Sequence, residues 1–212
     1  MQKRSSPRSV AKRTAVLDAA QICFLEHGYA STSMDMVAAR AGVSKATIYA
    51  HFASKDELFG AIICRRCEDQ SGGLGGVALT EGMDARATLA AVANHLMTML
   101  MAPEVVEIYR LVVAESPRHP DLARVYYEQG PARGKQRIAE VLAALSQRGL
   151  LAVPDAWKAT DLFVNMLRGE VFHRVLLGLP PSDRITLDAT IAEAVELMMG
   201  CYGVGAIERS PA

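Results

Sequence analysis

Residues 28–59 read GYASTSMDMVAARAGVSKATIYAHFASKDELF. Gly28 suits the position just past a helix C-terminus, where a left-handed residue stops the chain. Before it, Val16, Ala19, Ala20, Cys23 and Phe24 recur with the i, i+3, i+4 period of one apolar helix face, and Ser9 precedes that pattern. Thr32 and Asp35 form a capping-box-like pair that opens a short second helix, running to about Arg40. Ala41-Gly42-Val43 makes a tight turn in which Gly42 suits a positive φ. Ser44 caps a third, very short helix through about Ala50, and Ser54 with Glu57 opens a fourth, running to about Asp69. Met36, Val37 and Val43 supply the apolar contacts that packing of the second helix on the third requires. Short helices with a Gly-containing turn between the second and third describe a helix-turn-helix.

That arrangement carries a chemistry. A helix-turn-helix points the first turn of its second helix at base edges. Here that turn is Lys45, Ala46 and Thr47, behind a capping Ser44 that leaves N–H groups and a positive dipole end free. Ala46 is small enough for close backbone approach, and the Thr47 hydroxyl and methyl can both meet a base edge. Tyr49, His51 and Lys55 are placed to reach phosphates, as are Thr32 and Ser33 at the start of the second helix. The plain alternative is a solvated face on a short helix.

Charge follows the same division. Residues 1–55 hold eight basic residues against three acidic; the remainder holds fifteen against twenty, so a net charge of zero hides +5 followed by −5. A basic module on a mildly acidic body suits polyanion binding at one end. Residues 1–8, with Pro7, read as a disordered basic arm; Arg4, Arg8, Lys12 and Arg13 follow phosphates or thread a minor groove, or else form a tail that merely solubilises.

The rest of the chain reads as helix. Ala, Leu, Val and Met dominate the apolar half of the composition, and alternating β-branched runs are scarce. Residues 71–76, SGGLGG, carry a glycine penalty of about 1 kcal/mol each in a helix and read as a linker. The expected organisation is an arm at 1–8, a DNA-binding domain at 9–70, a Gly-rich linker at 71–83 and a larger helical domain at 84–205. Beyond the linker, Leu89, Val92, Ala93, Leu96 and Leu100 share a helix face, as do Val105, Ile108, Tyr109 and Val112. Two long helices, about 155–178 and 183–203, close the chain. The expected fold is all-α, about nine helices.

Several function classes are excluded by what is missing. No G-x-S-x-G, H-E-x-x-H or P-loop occurs, so no catalytic machinery is assembled. No run approaches the ~18 apolar residues of a membrane span, and no apolar segment follows the basic start as in a secretory signal. The chain reads as soluble and cytoplasmic, with no cofactor. Cys64 and Cys67 form C-x-x-C within CRRC, but without further ligands they make no zinc site. They are either incidental helix neighbours or a thiol redox sensor.

The quoted segment resembles the DNA-binding domain of the TetR family of transcriptional regulators. The resemblance rests on Gly28-Tyr29, Thr32-Ser33, Ala41-Gly42-Val43-Ser44, Thr47-Ile48-Tyr49, His51-Phe52 and Ser54-Lys55, with Leu58 following, ungapped over about residues 10–65. Ala46 stands where many members have Gly, which bears on operator preference. Through VVEIYRLVVAESPRHPDLA and LFVNMLRGE the C-terminal half resembles the AefR-like branch.

The resemblance implies a homodimeric repressor of operator DNA, joined through its last two helices and released by a small molecule bound in the C-terminal domain. Met97, Met99, Met101, Met166, Met198 and Met199 make that domain rich in a residue that lines adaptable apolar pockets and also fills ordinary cores. Expected pocket residues are Met97, Met99, Leu100, Ile108, Tyr109, Val112, Phe163, Met166 and Leu167, with His95, Asn165 or Glu170 for polar contact. Expected dimer contacts are Trp157 and Arg174 on the first closing helix and Ile191, Ala194, Val195 and Met198 on the second. Packing within the subunit is the alternative for these. A regulator that binds DNA with no small-molecule ligand is the other reading of the same domain.

Overall fold

The structure is a computed structural model. It describes the backbone of residues 7–77, 84–181 and 185–204, with side chains for all of these except 7–8 and 67–77. The described residues form ten helices and one isolated antiparallel bridge, Leu151 to Gly203. In order these are α1 (Pro7–Ser31), α2 (Met34–Arg40), α3 (Lys45–His51), α4 (Lys55–Val77), α5 (Ala85–Leu100), α6 (Pro103–Glu115), α7 (Pro120–Gln129), α8 (Pro131–Gln147), α9 (Ala156–Leu177) and α10 (Leu187–Tyr202). Proline opens α6, α7 and α8, where its missing N–H costs nothing. Asp84, Asp155 and Thr186 cap α5, α9 and α10 through side-chain oxygens.

Chain contacts divide the molecule into two compact units. The first contains residues 1–67 together with 107–131; the second contains 68–106 together with 132–212. The first unit is thus discontinuous. Its core joins Val16, Leu17, Phe24, Val37, Ile48, Phe52, Leu58, Phe59 and Ile62 to Ile108, Val112 and Leu122 from later in the chain. Phe24, Tyr29 and Phe59 form its aromatic centre, with ring centroids 5.4–5.7 Å apart. Pairs of this kind contribute about 0.5–1.5 kcal/mol each beyond their buried area. The second unit packs α5, α8, α9 and α10 around Leu89, Met97, Leu142, Phe163 and Leu167.

Three expectations are corrected. Pro7 and Arg8 belong to the first turn of α1 rather than to an arm; residues 1–6 lie outside the described residues. The helix expected to end near Asp69 continues as α4 to Val77, through the four glycines of residues 71–76. The glycine penalty is a preference of about 1 kcal/mol per residue, and a helix already nucleated at a well-capped start adds a hydrogen bond with each further residue. The rest of the expected linker, 78–83, lies outside the described residues. The cap of α2 is Ser33, not Thr32: Ser33 Oγ accepts from Met36 N, while Thr32 is buried. Consequently Met34 turns inward and Met36 stays exposed.

Candidate nucleic-acid interface

The turn between α2 and α3 is fixed by backbone geometry. Gly42 sits at φ 66°, and Val43 N donates to Ala38 O at 3.0 Å. Glycine reaches that φ without the Cβ clash other residues meet. Ser44 then caps α3, its Oγ accepting from Thr47 N at 3.2 Å and lying 2.8 Å from Thr47 Oγ1. Ile48 is fully buried and anchors α3 to the core. Opposite it, Lys45, Ala46, Tyr49 and Ala50 form one exposed stripe. Thr47 and His51 are half-buried at its margins.

The cations near this stripe are held by neighbours. Lys45 Nζ donates to Asp35 Oδ2 at 2.9 Å, bridging the first turns of α3 and α2. The Asp35 carboxylate raises the Lys45 pKa above its ordinary value. Arg40 makes a two-point pair with Glu26 on α1, whose carboxyl is held below its usual range by that hydrogen bond. The Arg13 guanidinium lies over the Phe52 ring, 5.3 Å from its centroid.

Two expected phosphate contacts turn inward instead. The Thr32 hydroxyl is shared between the carbonyls of Gly28 and Cys23, at 2.8 and 3.0 Å, which satisfies the chain where Gly28 breaks α1 at φ 80°. Lys55 Nζ donates to Tyr29 O at 2.7 Å, Thr32 O at 3.0 Å and Ala30 O at 3.2 Å. It also lies 4.4 Å from the centroid of the Tyr29 ring. An ammonium has three donors, and all three are spent inside the protein. Ser33 and Ser44 remain exposed, their oxygens engaged in capping. The structure therefore brings together Lys45, Ala46, Thr47 and Tyr49 and withdraws Thr32 and Lys55. Asp35 and Glu26 escaped sequence reading as ion-pair partners. Asp35 had a signal: it and Lys45 open consecutive helices across a short turn.

Family comparison extends over both halves of the chain. Residues 16–62 match the profile described as bacterial regulatory proteins, tetR family, and residues 87–204 match that of the AefR-like transcriptional repressor C-terminal domain. The chain belongs to the TetR family of transcriptional regulators. Its relatives include an HTH-type transcriptional repressor of Mycobacterium tuberculosis, 32% identical over 70% of each chain. Among solved structures, a TetR-family transcriptional regulator from Mesorhizobium loti is 30% identical, with a TM-score of 0.78 over 94% of this chain and all of that one. The flavonoid-responsive regulator FrrA is 33% identical, with a TM-score of 0.72 over 91% of this chain and 97% of that one.

In this TetR-family chain the expected pocket residues do not share one interior. Met97, Phe163 and Leu167 are fully buried in the second unit, with Met99, Leu100 and Met166 packed against that core. Ile108 and Val112 belong instead to the core of the first unit, and the Tyr109 ring lies 6.1 Å from that of Tyr126 there. Glu170 is exposed and paired with Arg174 at 3.3 Å; Asn165 is exposed beside Asp161. Apolar character suggested these residues for a pocket, but it says which face is buried, not what covers it. Two buried polar atoms of the second unit, His95 Nε2 and Thr160 Oγ1, have no hydrogen-bond partner. Burial pushes the His95 pKa down, favouring its neutral form. A groove of about 320 Å³ also lies between α5 and α10, bridged by the Arg86–Glu196 ion pair.

Four of the expected dimer contacts fall to the alternative of packing within the subunit. Ile191, Ala194, Val195 and Met198 are buried within the subunit, where α10 packs on α5 and α9. Arg174 donates to Pro180 O and closes its own helix end. Trp157 is exposed, and Leu162, Leu177 and Leu197 are exposed with it on α9 and α10. Cys64 is half-buried on α4; the Cys67 side chain lies outside the described residues. Among the described residues no group of acidic, His and Cys side chains could hold a metal, and no helix is long and apolar enough to cross a membrane.

Proposed function

We propose that this TetR-family regulator is a homodimeric, cytoplasmic repressor that reads a pseudo-palindromic operator and is released by a small, largely apolar effector. The observation that carries the DNA half is the exposed stripe Lys45, Ala46, Tyr49 and Ala50, set opposite buried Ile48 on the second helix of the helix-turn-helix. Residues 9–70 hold the reading head, and the second unit holds the effector and the dimer contacts. Repressor activity in the mycobacterial relative and flavonoid response in FrrA support the two halves separately. The unpartnered His95 and Thr160 atoms add polar positions inside the second unit that a ligand or an ordered water would satisfy. Dimerisation through the exposed faces of α9 and α10 accounts for Trp157, Leu162 and Leu197 standing in solvent.

The test is binding of the purified chain to the duplex upstream of its own coding region and to random duplex, at two salt concentrations, with and without a panel of flavonoids. Preferential binding that weakens with salt and is reversed by one of the compounds supports the whole proposal. Preferential binding that no small molecule reverses favours a regulator without an effector. Within this assay, Tyr49→Ala is expected to weaken binding about three- to tenfold on every duplex, as a phosphate contact does. Thr47→Ala is expected to lower the ratio of specific to random affinity by about fivefold, the low end of a base-edge contact. Equal losses on both duplexes for Thr47→Ala would remove that residue from base reading.

A further inference from the structure

The ion pair between Asp35 and Lys45 has no structural need. Both side chains are well exposed, 60% and 67%, and exposed pairs of this kind contribute little to stability. The turn it spans is already fixed by Gly42, by the Val43 to Ala38 hydrogen bond and by the Ser33 and Ser44 caps. Yet the pair joins the first turn of α2 to the first residue of α3 and engages a cation on the exposed stripe. Arg40 is likewise engaged, by Glu26. The stripe therefore offers little uncommitted positive charge.

We infer that Asp35 is a specificity-determining residue: by holding the Lys45 ammonium across the turn, it withholds that charge from phosphates and keeps it for a base edge. The inference rests on the DNA-binding reading proposed above. Its logic is electrostatic. Random DNA is bound almost wholly through phosphate neutralisation, and each phosphate neutralised releases counterions. A lysine already paired with a carboxylate contributes little to that term. On the correct sequence the same ammonium meets guanine O6 and N7, acceptors fixed in position, and the loss is recovered there. Asp35 thus weakens binding to the wrong DNA more than to the right DNA.

The experiment uses the full chain and the duplex it enriches from a random-sequence pool, compared with an unselected duplex. Asp35→Asn keeps shape and removes the charge. It is expected to strengthen binding to the unselected duplex about threefold at 50 mM salt and to steepen the salt dependence by about 0.9 for each recognition helix engaged. The ratio of selected to unselected affinity falls by the same factor. In a Lys45→Ala background, Asp35→Asn is expected to shift both duplexes equally, because only the general repulsion of one carboxylate is then removed. Thermal unfolding of each variant accompanies the titrations, since a merely structural role for Asp35 would lower stability without changing the affinity ratio. An unchanged ratio in Asp35→Asn, or an equal fall in ratio without Lys45, overturns this inference alone. A wild-type chain that enriches no duplex overturns sequence-specific binding and this inference with it.

Discussion

Lys55→Ala is expected to destabilise the protein by about 1 kcal/mol, the low end of the 1–3 kcal/mol that losing the partner of a buried polar group costs, because the carbonyls it serves are part-buried or exposed. The reason is the work its ammonium does in the first unit. It opens α4 yet reaches back to the carbonyls of Tyr29, Ala30 and Thr32, which follow the break at Gly28 and have no helix to continue into. The Tyr29 ring beneath it stacks on Phe24, meets Phe59 edge-on, and donates its hydroxyl to Asp56, the residue after Lys55. One side chain therefore ties the start of α4 to the connection between α1 and α2. Partial burial of the ammonium lowers the Lys55 pKa below its ordinary value. In a chain of this size the change corresponds to a fall of about 2–4 °C in unfolding midpoint. Lys55→Met, which keeps the stem but not the charge, should lose nearly as much. DNA affinity measured well below the midpoint should change little, with an unaltered salt slope. Unchanged stability with a shallower slope would instead return Lys55 to the phosphates.

The parts of this fold legible in the sequence are those a residue decides by itself. Gly28 breaks α1 and Gly42 turns the chain because positive φ is cheap only there. Ser44 and Ser54 start helices because their hydroxyls accept from N–H groups three residues on. What the sequence hides is the choice between equivalent candidates. Thr32 and Ser33 are both cap residues; the break at Gly28 takes the first hydroxyl and leaves the second for α2. Lys55 and Lys45 are both cations beside a recognition helix; carbonyls without helical partners capture one and a carboxylate the other. The apolar stripe of α10 was legible, but its cover was not. Ile191, Ala194, Val195 and Met198 meet α5 and α9 of their own subunit, and Leu197 one face over is left to solvent. Chain separation explains the pocket as well. Ile108 and Val112 lie close in sequence to the second unit and pack in the first, a long-range choice that no local period records.

Ala46→Asp separates folding from reading most sharply, because the two should move in opposite directions. Ala46 is the second residue of α3, exposed, with Lys45 before it and Tyr49 one turn on. A carboxylate in a helix first turn is favourable by about 0.3–1 kcal/mol at an exposed site, so the unfolding midpoint should hold or rise slightly. On DNA the same carboxylate would stand against phosphates, and like charges juxtaposed at an interface cost several kcal/mol. A loss of at least about 100-fold in affinity is expected on selected and random duplex alike, since about 2.7 kcal/mol suffices for it. Ala46→Gly provides the converse. It is expected to weaken α3 by about 0.5–1 kcal/mol while leaving the approach to the groove open, so binding should persist with an altered sequence preference. The pair of variants rules out loss of binding through loss of structure: the more stable one is the one that fails. Should Ala46→Asp bind within threefold of wild type, the first turn of α3 does not face the duplex, and the reading head must be sought on another surface of the first unit.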